Sequence, residues 1–145
     1  VVVGDDVITG RRVVVVGAPG SGKTTTATEI ARRLGLPRVE LDALHWGPGW
    51  TPVDNTTLRD RLRAAVAGDA WVVDGNYFSL GSADVVWPRA DTIVFLDLPR
   101  STVMRRVLTR SLRRTARRTE LWAGNRESLR NLFFARDSLL WFRRS

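Results

Sequence analysis

Cysteine is absent from the 145 residues. Neither a disulfide nor a thiolate metal site can form, and the redox compartment stays open. Long apolar runs are also lacking, for none approaches the roughly eighteen residues that a membrane-crossing helix requires. Asp5 and Asp6 interrupt the opening valines, so these are not expected to act as a signal peptide. The expectation is a cytoplasmic protein with no membrane partner. Since the first residue is Val1 rather than Met, an initiator or more is expected to precede it. Lysine is the most telling scarcity: of 23 basic residues only Lys23 is a lysine. A planar guanidinium cannot act as the compact point charge that reaches between the β- and γ-phosphates of a nucleotide. The chain keeps its one ammonium where that chemistry would use it.

Lys23 lies in Gly17-Ala18-Pro19-Gly20-Ser21-Gly22-Lys23-Thr24, which fits the phosphate-loop pattern G-x-x-x-x-G-K-[ST]. The β-branched run Val13–Val16 before it has the length of a strand. Residues 24–34 after it read as a helix with Ala27, Ile30, Ala31 and Leu34 on one face. Strand, loop and helix are the context the pattern needs. The glycines allow a tight turn whose N–H groups converge with the helix N-terminus on anionic oxygens. Gly17 through Thr25 therefore form the candidate nucleotide-binding set, with the Thr24 hydroxyl placed to ligate Mg²⁺.

Charge is unevenly distributed. Residues 1–99 carry ten basic and twelve acidic side chains, a net of −2, whereas residues 100–145 carry thirteen arginines against three acids, a net of +10. A nucleic-acid surface, an anion-clamping lid and a solvated helix face in an arginine-biased chain all fit this belt. The bias explains the choice of arginine and leaves the clustering open.

The chain has room for one domain with one core, over residues 1–145. After the first helix, Arg38–Asp42 reads as a short strand, and residues 46–52 as a turn-rich aromatic loop. Asp54–Ala67 reads as a helix with Leu58, Leu62, Ala65 and Val66 inward, closed by Gly68. Residues 71–74 and 92–97 read as buried strands that each end in a carboxylate. Helices follow from Ser101 to about Arg118 and over Glu127–Phe142. This alternation predicts a three-layer α/β P-loop fold, with a central parallel sheet, helices on both faces, and ligands outside the C-terminal ends of the strands.

Asp42, Asp74 and Asp97 all fall at predicted strand ends. Asp74, before Gly75-Asn76-Tyr77, matches the strand-ending carboxylate that holds Mg²⁺ beside a phosphate loop. Asp97, before Leu98-Pro99, reads as a turn or helix-start carboxylate. Asp42 is placed to orient or deprotonate an acceptor hydroxyl. His45 either contacts the acceptor or covers the loop. Trp46 and Trp50 either pack together or hold a flat ligand between them.

Taken together, GAPGSGKTT at 17–25, LDALHW at 41–46, WVVDGNY at 71–77, RADTIVFLDLPR at 89–100 and GNRESLRNLFFARDSLLW at 124–141 resemble the adenylate-kinase-like nucleotide kinases, most closely the family named for DNA topology modulation. The resemblance spans most of residues 13–142 and implies an ATP- and Mg²⁺-dependent phosphoryl transferase. It implies catalytic roles for Lys23, Asp42, Asp74, Arg110 and Arg126. It also assigns Arg106 to the adenine, Arg110 to phosphate, and Arg126 and Arg130 to a lid at about 111–130. Asn76-Tyr77-Phe78 replace the Phe-Pro-Arg with which adenylate kinases grip the acceptor phosphate. The implied acceptor set is then Asp42, His45, Trp46, Asn76 and Tyr77, with Arg89 standing in for the lost arginine.

The expected activity is transfer of the γ-phosphoryl group of ATP to a small-molecule or nucleotide acceptor, the alternative being an ATP-dependent nucleic-acid-binding protein that affects DNA topology. Acceptor identity and oligomeric state are open. Such sheets usually have five strands, and four are identified after residue 13, so the expectation is either that Val1–Val3 contributes in some other way or that the chain extends beyond Ser145 with a further strand.

Overall fold

The computed structural model describes residues 10–76, 81–99, 101–107 and 109. Four parallel strands, β1 (Arg12–Gly17), β2 (Arg38–Glu40), β3 (Trp71–Asp74) and β4 (Thr92–Leu96), lie in the order β2-β3-β1-β4. Alternate side chains of a strand point to opposite faces, and here each face of β1 feeds a different core. Val13 and Val15 pack with Val72 and Leu96 against Ala27, Ile30 and Ala31 of α1 (Lys23–Leu34). Val14 and Val16 pack on the other face with Trp71, Val73, Leu41, Leu62 and Val66. The result is the expected three-layer α/β fold. The four valines of β1 suit it because neither face meets water there.

The helices begin and end for identifiable reasons. Asp54 caps α3 (Asn55–Ala65) by accepting from the Thr57 N–H at 2.9 Å and the Thr57 hydroxyl at 2.6 Å. Gly35 closes α1 through its N–H to the Ala31 carbonyl. The second face also carries α2 (Leu41–His45) and α4 (Ser82–Val86), the latter continuing into a 3-10 turn at Trp87–Arg89. A fifth helical segment, α5, covers residues 101–107, with Val103 and Val107 buried.

Several expectations are corrected. The second strand stops at Glu40, and residues 41–42 open α2 instead of completing the strand. Leu34 is 38% exposed because α1 ends there, and Leu36 beyond the glycine takes the core position. Ala65 faces solvent, and α3 turns Leu58 and Leu62 inward, with Val66 buried just past its end. On β4, Ile93 and Phe95 are 48% and 63% exposed, since the layer formed by α2, α3 and α4 packs over β1 and β3 and stops short of β4. Residues 1–9, the helix beyond 109, the lid at 111–130 and the helix at 127–142 lie outside the described residues.

Candidate active site

Because the strands are parallel and in register, with Val15 beside Asp74, Glu40 beside Asp74 and Gly17 beside Leu96, their C-terminal ends line one edge. The phosphate loop leaves β1 at this edge and enters α1 at Lys23. The Lys23 ammonium is folded back along the loop, donating to the Gly17 carbonyl at 2.8 Å and the Ala18 carbonyl at 3.0 Å. Arg106 of α5 reaches the loop from outside, its Nη1 3.4 Å from the Ser21 carbonyl.

Asp74 is 4% exposed at the end of β3. Burial pushes its carboxyl above the ordinary range, while a hydrogen bond from Thr24 and the charges of Lys23 and Arg38 pull the other way, and Glu40 adds to the rise. Arg38 bridges the two acids, with Nη1 3.2 Å from Asp74 Oδ2 and Nη2 3.1 Å from Glu40 Oε2. Thr24 and Asp74 thus adjoin and offer two hard oxygen donors, a set that suits Mg²⁺ when phosphate oxygens and water supply the rest. Among the described residues no group of three or more His, Cys, Asp or Glu could hold a metal alone. Sequence reading missed Arg38. Its signal was the i, i+2 spacing of Arg38 and Glu40, which puts both on one face of a strand that neighbours β3.

Asp42 lies in the first turn of α2. His45, buried at the end of α2, stacks edge-on against Trp46 at 4.6 Å, and burial lowers its pKa against the opposing effect of Asp42. Its carbonyl accepts from the Val53 N–H at 2.9 Å, so the same residue anchors the return of the aromatic loop. Trp46 and Trp50 meet edge to face, 5.6 Å apart at 78°. That geometry removes the parallel slot in which a flat ligand would lie.

Two residues of the expected acceptor set bond to backbone groups. The Asn76 carboxamide is engaged with the phosphate loop rather than an acceptor pocket: Oδ1 accepts from the Gly17 N–H at 3.2 Å and Nδ2 donates to the Gly17 carbonyl at 2.6 Å. Arg89 is at the opposite edge of the sheet, ahead of β4. There its guanidinium donates to the Val66 carbonyl, to that of Ala67 at 3.1 Å and to that of Gly68 at 3.2 Å, closing the C-terminus of α3. Tyr77, Arg110, Arg126 and Arg130 lie outside the described residues.

Among the described residues no helix is long and apolar enough to cross a membrane. The model of the family described as ATPase family associated with various cellular activities (AAA) matches residues 13–97. A cytidylate kinase of Pyrobaculum aerophilum is 35% identical, the match covering 75% of this chain and 69% of the relative. The solved structure of a gluconokinase from Sinorhizobium meliloti 1021 shares the fold, with a TM-score of 0.51 and 22% identity over 87% of this chain and 73% of that one. By the extent of the family match, the chain belongs to the ATPase family associated with various cellular activities, with a P-loop, kinase-like fold related to the nucleotide kinases.

Proposed function

We propose that this chain is an ATP-dependent phosphotransferase of the adenylate-kinase-like type, acting on a small hydroxyl or phosphate acceptor. The observation that carries the reading is the convergence of Lys23, Thr24 and Asp74 at one end of a parallel sheet, where Thr24 and the charge of Lys23 both act on the Asp74 carboxyl. A likeness to a cytidylate kinase adds to it.

Phosphoryl transfer needs charge neutralisation and alignment more than covalent help from the protein. On ATP binding, Lys23 leaves the Gly17 and Ala18 carbonyls for the β- and γ-phosphates, and the loop N–H groups receive the phosphate oxygens. Thr24 and Asp74 are the residues that would hold Mg²⁺, which would supply further neutralisation of the phosphate charge. The acceptor oxygen bonds to the γ-phosphorus, the bond to the β,γ-bridging oxygen breaks, and ADP departs with that electron pair. A hydroxyl acceptor gives its proton to Asp42. Support for an acceptor beside α2 comes from Leu41, which lies so close to Gly75 that a β-carbon built there would be 2.8 Å from it. By resemblance, Arg106 lies against the adenine, Arg110 takes phosphate, and Arg126 and Arg130 belong to a lid that excludes water.

The test is an ATP-consumption assay against nucleoside monophosphates, with cytidylate first, then nucleosides, sugars and small acids, using Lys23→Ala as the blank. Acceptor-stimulated turnover that disappears in the blank supports the reading. Turnover stimulated only by DNA or RNA would replace it with a nucleic-acid-dependent ATPase, for which neither the described residues nor the comparisons offer support.

A further inference from the structure

Asp74 and Asn76 flank Gly75 at the end of β3, and their side chains reach opposite ends of the same loop. Asp74 faces the Thr24 end, where the loop becomes α1. Asn76 takes both polar groups of Gly17, where the loop leaves β1. A carboxamide can pair with the N–H and the carbonyl of a single residue in this way because it offers one acceptor and one donor side by side. The reversed amide would set donor against donor and acceptor against acceptor, so the partners fix its orientation. The Gly17 carbonyl is doubly used, since it also accepts from Lys23 at 2.8 Å.

Gly17 thus has two tethers with different fates. In the reading proposed above, on which this inference rests, Lys23 must leave the Gly17 carbonyl to reach phosphate. A carbonyl that lost its only donor would be free to turn, and the loop N–H groups would lose their aim. Asn76 is a neutral group whose bonds among the described residues are to backbone, and nothing in phosphate binding requires it to move. We propose that Asn76 is a positioning residue that keeps the phosphate loop in its nucleotide-receiving shape while Lys23 transfers from the loop to the nucleotide. In this role it makes no contact with the acceptor.

The experiment titrates wild type, Asn76→Ala and Asn76→Asp with a fluorescent ATP analogue plus Mg²⁺ in the absence of acceptor, and follows the Gly17 amide by NMR hydrogen exchange. Asn76→Ala is expected to weaken nucleotide binding about tenfold, equivalent to about 1.4 kcal/mol, and to deprotect the Gly17 amide. Asn76→Asp retains the acceptor for the Gly17 N–H but sets an anionic oxygen against the Gly17 carbonyl, and is expected to bind more weakly than Asn76→Ala. Should Asn76→Ala fail to fold, Asn76→Ser, with one donor and one acceptor on a shorter arm, carries the same readouts. Wild-type affinity in Asn76→Ala, or unchanged protection of Gly17, would overturn the inference. If wild type itself bound no nucleotide, the functional reading would fail, while the Gly17 exchange would still report whether Asn76 holds the loop.

Discussion

A methyl group at residue 20 would enter space that α5 already fills. A β-carbon built on Gly20 lies 2.6 Å from Val107 Cγ2 and 3.1 Å from the Val103 carbonyl oxygen, with φ at +81°. Gly22, two residues on, also has positive φ, +98°, yet the nearest atom to its β-carbon is Arg106 Nη1 at 3.7 Å, an ordinary contact. The pair therefore separates backbone strain from crowding. Left-handed backbone costs a non-glycine residue about 1–2 kcal/mol, which is the whole expected cost of Gly22→Ala. Gly20→Ala adds overpacking of about 1–3 kcal/mol, for a total of about 2–5 kcal/mol. At about 2–4 °C per kcal/mol for a chain of this size, Gly22→Ala is expected to melt ~2–8 °C below wild type and Gly20→Ala ~4–20 °C below. Thermal melts of the two variants side by side, monitored by circular dichroism, make the comparison. Equal shifts would show that α5 does not rest on the phosphate loop, and the reasoning that places Arg106 beside Ser21 would fall with it.

Asp74→Asn is expected to abolish Mg²⁺-dependent turnover while raising the melting temperature near neutral pH. Burial lifts the Asp74 pKa, so the folded state disfavours the carboxylate; the penalty is full above the raised pKa and relieved as pH falls through it. Melts of the two proteins across pH should therefore converge in acid, and a variant less stable than wild type at neutral pH would contradict this. The same raised pKa makes the acidic loss of turnover begin at a higher pH than for an exposed aspartate, which a pH–rate profile checks. Arg89→Ala is expected to lower stability by about 1–2 kcal/mol, ~2–8 °C, through the carbonyls it leaves at the end of α3. It should leave the KM for ATP and acceptor unchanged, and a raised acceptor KM would return Arg89 to the acceptor site.

The phosphate loop was legible because its chemistry is local: the glycine spacing, the lone lysine and the flanking strand and helix all lie within residues 12–34. Asp74 was legible for a related reason, since a buried apolar strand that ends in a carboxylate carries its own marker. The contacts of Asn76 and Arg89 were not legible, because long-range pairing decides them. Asn76 is 59 residues from Gly17 and Arg89 is 23 from Val66, and no periodicity announces either bond. Family resemblance placed both against an acceptor, whereas hydrogen-bond complementarity placed one on the loop and the other on a helix end. The exposed Ile93 and Phe95 misled in a similar way. Apolar character along β4 reads as burial on both faces, and only the packed sheet shows that the α2–α4 layer stops before reaching it.

The central claim is that the γ-phosphorus of ATP moves to another molecule at the site where Lys23, Thr24 and Asp74 meet. The most direct measurement follows that atom by ³¹P NMR, with ATP, Mg²⁺ and the acceptor that most stimulates ATP consumption, for wild type and Lys23→Ala. The account predicts that the γ-phosphate signal is replaced by an acceptor-phosphate signal matched by ADP, and that Lys23→Ala is slower by about a hundredfold or more, the loss seen when one charge-stabilising group is removed from a transition state. Release of the phosphorus only as inorganic phosphate, or equal rates in the two proteins, would contradict it.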